Sequence, residues 1–218
     1  ILKDQLNLMR VGEPMYVFYG YVEDGYDENG HIVYKNMDDD PAITAADKTI
    51  IGDPNPDFLV NLTTAVSYKG FTLSAFFQSS IGNDIYSLSM AAQAYDYGYN
   101  GNTLREVYYN HWTLENPTAK YPNLDQTSYK MSDRFVYDGS FVRLKNLELA
   151  YDVPCARNKF IKRARVYVSA QNLFTITSYP FWDPDINANG GGSSMIQGVD
   201  SYCYPSARTY TIGCRLTF

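Results

Sequence analysis

The residues of this 218-residue chain that could do chemistry are two carboxylates around a proline, two histidines, an acidic run and several aromatic clusters. A glycosidase needs two carboxyls placed across a bond at a set separation. Asp183 and Asp185, in Phe181-Trp182-Asp183-Pro184-Asp185-Ile186, are near neighbours whose spacing suits loop and turn caps better. His31 and His111 lie far apart, with no Cys or His at metal-ligand spacing. The stretch Asp38 to Asp47 is acid-rich, yet lacks the Asp-x-Asn-x-Asp-Gly spacing that lets successive oxygens converge on calcium, so a solvated loop is expected there. Phosphate-cradling loops and nucleophile motifs are missing. No catalytic residue, metal or cofactor is expected, and the chain is not expected to be an enzyme.

The rings offer a different chemistry. Tyr95, Tyr97 and Tyr99, then Tyr108, Tyr109 and Trp112, then Tyr179, Phe181 and Trp182 fall between the regular segments. Aromatic faces stack on sugar rings and bury the apolar side chains of peptides; the same rings can also pack loops together or meet a partner protein. Tyr108, Trp112, Tyr179 and Trp182 are the candidates for contact with substrate or partner.

Strands must position them. The last stretch alternates cleanly: Tyr210, Ile212, Cys214, Leu216 and Phe218 point one way, Thr209, Thr211, Gly213, Arg215 and Thr217 the other. About ten residues of such alternation are what a membrane-spanning β-strand needs. An edge strand of a soluble sandwich also alternates. The chain has 21 Tyr and 11 Phe, an aromatic share of 16% that suits the girdles of a membrane barrel. Mean hydropathy is −0.34, and no run approaches the ~18 apolar residues of a transmembrane helix. A net charge of −6 disfavours nucleic acid as a partner. Cys155, Cys203 and Cys214 are scattered and imply no disulfide framework.

Six strands are expected: Met15–Val22, Phe58–Tyr68, Phe71–Ser79, Phe141–Val153, Ala164–Phe174 and Arg208–Phe218. A tight turn at Lys69-Gly70 joins the second to the third. Arg143 and Lys145 fall in phase with the apolar face and would meet anionic headgroups; Asn61, Gln78, Glu148, Gln171 and Arg215 would face a lumen. Between Ile81 and Asp138 the one helical candidate is Leu104–Trp112, with Thr103 and Glu106 spaced as a capping box. If Phe218 ends in the periplasm, every long connection falls outside the cell and every short turn inside, the asymmetry of outer-membrane barrels. Six strands cannot close a barrel, and an open edge in lipid leaves backbone groups unsatisfied. One sector of a larger antiparallel transmembrane β-barrel, with long extracellular loops and one short loop helix, is therefore expected over residues 1–218.

Several motifs sharpen this. Gly52-Asp-Pro-Asn-Pro-Asp-Phe58, Gly82-Asn-Asp-Ile-Tyr86, His111-Trp-Thr-Leu-Glu-Asn-Pro-Thr118, Tyr137-Asp-Gly-Ser-Phe-Val-Arg-Leu-Lys-Asn-Leu147, Val168-Ser-Ala-Gln-Asn-Leu-Phe174 and Tyr204-Pro-Ser-Ala-Arg-Thr-Tyr-Thr-Ile-Gly213 before Phe218 resemble the SusC/RagA family of TonB-dependent transporters. The resemblance runs from about Val11 to the end. It implies the C-terminal strands of a 22-stranded outer-membrane barrel, without plug domain, in a Gram-negative bacterium. It implies nutrient import of oligosaccharides or peptides, with a SusD-like surface lipoprotein over the mouth and the TonB complex acting through the plug. Lipid bilayer and lipopolysaccharide would surround it, and Phe218 would serve as the barrel-assembly signal. The competing reading is a soluble or surface-exposed glycan-binding β-protein without transport activity.

Overall fold

The computed structural model describes residues 6–95, 102–126, 129–155, 160–186 and 196–218. Tyr97, Tyr99 and the side chain of Tyr95 lie outside the described residues, as do parts of three expected connections. The chain divides into two compact units.

One unit is an antiparallel meander of five strands: β1 (Phe58–Tyr68), β2 (Phe71–Ile81), β3 (Phe141–Val153), β4 (Arg163–Thr177) and β5 (Thr209–Thr217), ordered β5-β4-β3-β2-β1. The β1–β2 turn has φ 49° at Lys69 and 86° at Gly70. Positive φ at both central residues is the hairpin geometry whose twist matches that of the flanking strands. Register turns the sequence alternation into faces. Val66, Leu73, Leu149, Val168 and Ile212 align as one apolar row across all five strands. Ala65, Ser74, Glu148, Ser169 and Thr211 make the next row, on the opposite face. Every member of the apolar row is at least 44% exposed, so no second layer among the described residues covers it.

The alternation breaks at Lys145. Register shifts between Leu144 and Asn146 against both neighbouring strands: against β2 Lys145 is an extra residue, and against β4 it stands opposite two, Asn172 and Leu173. A bulge rotates all that precedes it by one side of the pleat. Arg143, expected among the apolar residues and their headgroups, instead aligns with Gln78 on β2 and Thr175 on β4, on the polar face. Here unbroken parity misled the sequence reading.

The other unit is assembled from the stretches between these strands and from the N-terminal segment. Met15–Val22 is not a sixth strand of the large sheet. Its Val17–Gly20 portion lies between Asn7–Leu8 and Thr49–Gly52 in a small sheet. Val17 and Phe18, adjacent and so on opposite faces, are both buried, and Phe18 joins a core with Tyr86, Phe135, Val107 and Val199. Burial on both faces marks an interior strand, and aromatic, β-branched composition alone does not separate the two cases. Within Ile81–Asp138, Asp84–Ser87 pairs antiparallel with Val136–Asp138 and parallel with Val199–Asp200. Helices α1 (Leu88–Tyr95) and α2 (Arg105–Tyr109) follow. The second is shorter than the expected Leu104–Trp112, and no capping box forms. Leu104 is the N-cap, while the Thr103 hydroxyl donates to the Gln93 carbonyl at 2.9 Å.

Two of the quoted motifs lock together in this unit. The Asp53 amide donates to the Asp84 carboxylate at 2.9 Å, and the Asp84 amide returns a bond to the Asp53 carbonyl at 2.7 Å. Gly52 is glycine for want of room: a Cβ there would lie 2.9 Å from Asp84 Oδ2 and 3.0 Å from the Phe18 ring.

Candidate functional site

The polar face of the large sheet and the aromatic connections are the surfaces with something to offer a ligand. Arg143 is the most buried charge on that face. Its Nε donates to Thr175 Oγ1 at 2.9 Å, Nη1 to Ser206 Oγ at 3.2 Å, and Nη2 to Asp183. Asp183 also accepts from the Ser206 amide at 2.9 Å. One carboxylate and one guanidinium thus hold both ends of the β4–β5 connection. Charge-assisted bonds of this kind are the strong ones, and burial keeps water from competing for them. Asp183, first considered as half of a catalytic pair, is occupied by this structural contact. The signal available in the sequence was a cation lying in the apolar phase of a strand and an Asp among loop aromatics.

The four candidate rings fall into two environments. Trp182 is 56% exposed and stacks on Phe181, with centroids 4.9 Å apart and planes 19° from parallel. Tyr108 on α2 is 61% exposed and meets Tyr109 edge-on at 5.2 Å. Trp112 is buried, its amide bonded to the Tyr121 carbonyl at 2.8 Å. Gly30 lies flat on the Trp112 ring, where a Cβ would sit 2.3 Å away. Tyr179 is buried too, its amide donating to Thr177 Oγ1 at 3.1 Å. Tyr108 and Trp182 therefore present ring surface outward, while Trp112 and Tyr179 pack. Phe218 is exposed at the end of β5. At the same end of the sheet the Phe71 and Tyr151 rings lie 4.5 Å apart.

Electrostatics in the smaller-stranded unit are those of a folded domain with its own interior. Burial pushes the Tyr34 phenol up to about 12, and its oxygen accepts from the Lys130 amide at 2.8 Å. Asp84 is raised by burial, with the Asp138 and Asp53 carboxylates adding to the effect. Asp47 is lowered, because the Met37 and Thr44 amides both donate to its carboxylate at 2.7 Å. The acidic run is organised by such bonds: Asp38, Asp40 and Asp47 each accept from a backbone amide of their own loop.

Comparison with known proteins gives this arrangement a setting. No protein-family profile matches. TonB-dependent receptor P3 of Formosa agariphila is 32% identical over the whole chain, which covers 23% of that protein. TonB-dependent receptor SusC of Bacteroides thetaiotaomicron is 30% identical over 96% of the chain and 20% of the receptor. The RagAB peptide importer in its open-open state superposes on all of this chain and 24% of the matched one, with a TM-score of 0.81 and 25% identity. Its closed-closed state gives a TM-score of 0.77. The chain belongs to the SusC/RagA family of TonB-dependent receptors.

It spans between a fifth and a quarter of the length of the relatives it matches. In a SusC/RagA receptor the five-stranded sheet is a sector of a larger antiparallel β-barrel, and its open edges agree with that. Among the described residues β1 and β5 each pair on one side only. Unpaired backbone groups are not tolerated in lipid. The bulge at Lys145 puts Arg143 on the polar face of this sheet.

Proposed function

We propose that this chain supplies wall, lumen surface and outward loops to an outer-membrane importer. It works with a SusD-like surface lipoprotein and is driven by the TonB complex through a plug lying elsewhere in the receptor. The cargo is an oligosaccharide or a peptide. The observation that carries this reading is the five-residue row Val66, Leu73, Leu149, Val168 and Ile212, left uncovered on one face while Ser, Thr and Glu line the other. Acyl chains cover such a row at no cost, whereas an Arg at midplane on the same face costs about 2–4 kcal/mol. The long connections fold into a compact, aromatic-rich unit of the kind a cargo-handling mouth needs. Tyr108 and Trp182 are the rings this reading assigns to cargo or lipoprotein.

The test uses the intact receptor in its native host. Detergent-dependent extraction with heat-modifiable migration on a gel is expected, as is co-purification of a surface lipoprotein. Uptake of labelled oligosaccharide and labelled peptide, measured side by side, assigns the cargo. Trp182→Ala and Tyr108→Ala should weaken uptake of that cargo severalfold without altering heat-modifiability. Release of the receptor into buffer without detergent sinks the transport reading in favour of a soluble glycan-binding protein.

A further inference from the structure

Arg165 and Arg215 lie directly opposite one another across the β4–β5 ladder, in the same rung of the polar face. Like charges so placed repel and weaken a strand pair. Arg165 is partly relieved: Glu148 and Asp152, both on β3, each approach it to 3.5 Å. These acids stand on the far side of β4 from β5, and Arg215 makes no ion pair among the described residues. Lys162, Arg163, Arg165 and Arg215, with Asp152 as the one acid, border a hollow of about 470 Å³. Tyr167, two residues along β4, lays its ring over Gly213, where a Cβ would come within 2.5 Å of the phenol oxygen. Tyr167 and Gly213 share that face, one rung nearer the sheet centre than the two arginines.

We infer that Arg165 and Arg215 together form a docking site for the carboxylate of an Asp or Glu side chain, carried by a protein segment inside the lumen. The inference rests on the barrel reading above, which makes this face the lumen. Two guanidinium forks across one rung can each give a carboxylate a paired hydrogen bond. A bridging anion turns their repulsion into attraction. The occupant is protein because the chain accounts for no more than a quarter of the length of its relatives, so most of such a receptor lies outside these residues.

The experiment places the photo-crosslinker p-benzoylphenylalanine at Thr217, on the rim of the hollow, in the intact receptor, irradiates cells and maps the product by mass spectrometry. The expected product joins position 217 to a segment of the same polypeptide containing Asp or Glu. Its yield should fall at least fivefold in the Arg165→Gln/Arg215→Gln double variant. It should recover when Arg215→Glu is combined with a Lys at the mapped acid. An unchanged yield in the double variant overturns the inference, as does a product with no acid in the captured segment. Loss of the product on adding inorganic phosphate overturns it in favour of a free anion. Heat-modifiable migration of each variant is measured alongside: a variant that keeps its barrel but not its crosslink speaks to the docking site, and a parent without a heat-modifiable barrel sinks the barrel reading itself. Should the double variant fail to assemble, Arg215→Gln alone carries the same comparison, since that side chain has no ion pair to lose.

Discussion

Arg143 and Asp183 form an ion pair whose side chains are 2% and 7% exposed, joining the polar face of a barrel strand to the connection that follows the next strand. A bulge at Lys145 makes the pair, by turning Arg143 onto the polar face. Thr175 and Ser206 occupy further donors of the guanidinium, so the charge is enclosed and bonded in several directions.

Removing one partner leaves the other buried and uncompensated, which costs about 3–5 kcal/mol. Asp183→Ala in the intact receptor should therefore lower the temperature at which the β4–β5 connection opens. Hydrogen exchange of peptides covering residues 178–186 and 204–208 should rise severalfold, while exchange in β1 and β2 stays at the parental level. Uniform exchange across all of these peptides would show that the pair does not hold the connection.

Gly213 and Tyr167 give a second prediction. A methyl at Gly213 would sit 2.5 Å from the Tyr167 ring, so Gly213→Ala forces that ring off the strand. Overpacking of this kind costs about 1–3 kcal/mol. The loss should appear as a lower heat-modification temperature. Tyr167→Ala in the same receptor should remove most of it, because the clash needs both side chains.

The large sheet was legible in the sequence because one apolar face imposes strict alternation. Strands β1 to β5 and the Lys69-Gly70 turn all follow from it, and the motifs that resemble SusC/RagA proteins pointed to the family. What alternation could not show was where it breaks. Arg143 appears to the eye as a lipid-facing cation until Lys145 is known to be an extra residue. Nor could it show that Val17 and Phe18 belong to an interior, since consecutive buried residues carry no period. The compact unit that holds them is built from two- to four-residue strands joined across long sequence separations, as Val199 joins Tyr86. Such pairings leave no local trace. The exposed rings of Tyr108 and Trp182 and the buried ones of Trp112 and Tyr179 are likewise indistinguishable by type.

Asp47 supplies a pH prediction. Amides of Met37 and Thr44 donate to its carboxylate and hold it below the ordinary value of 3.8. A depressed pKa stabilises the fold above the unfolded value and loses that contribution as pH falls through the folded one. The loop from Met37 to Asp47 should therefore stay closed down to about the ordinary aspartate value and open below it. Hydrogen exchange of a peptide covering residues 37–47, corrected for the intrinsic rate at each pH, should show that rise. Asp47→Asn should show it already at neutral pH.

Asp84 should respond in the opposite sense. Burial raises its pKa, and the Asp138 and Asp53 carboxylates push the same way. A raised carboxyl binds its proton more tightly folded than unfolded, so its effect on stability is most favourable below 3.8 and is lost as pH rises through the folded value. At neutral pH the charge is a burden, borne because the Asp53 amide needs its acceptor. Asp84→Asn keeps a carbonyl oxygen for that amide and removes the charge. Exchange of a peptide covering residues 84–87 should be slower in this variant than in the parent at pH 7, and the two should converge in acid. Asp84→Ala, which removes the acceptor as well, should speed exchange at both pH values. If Asn and Ala variants behave alike, the reciprocal bond between Asp53 and Asp84 does not hold the two motifs together.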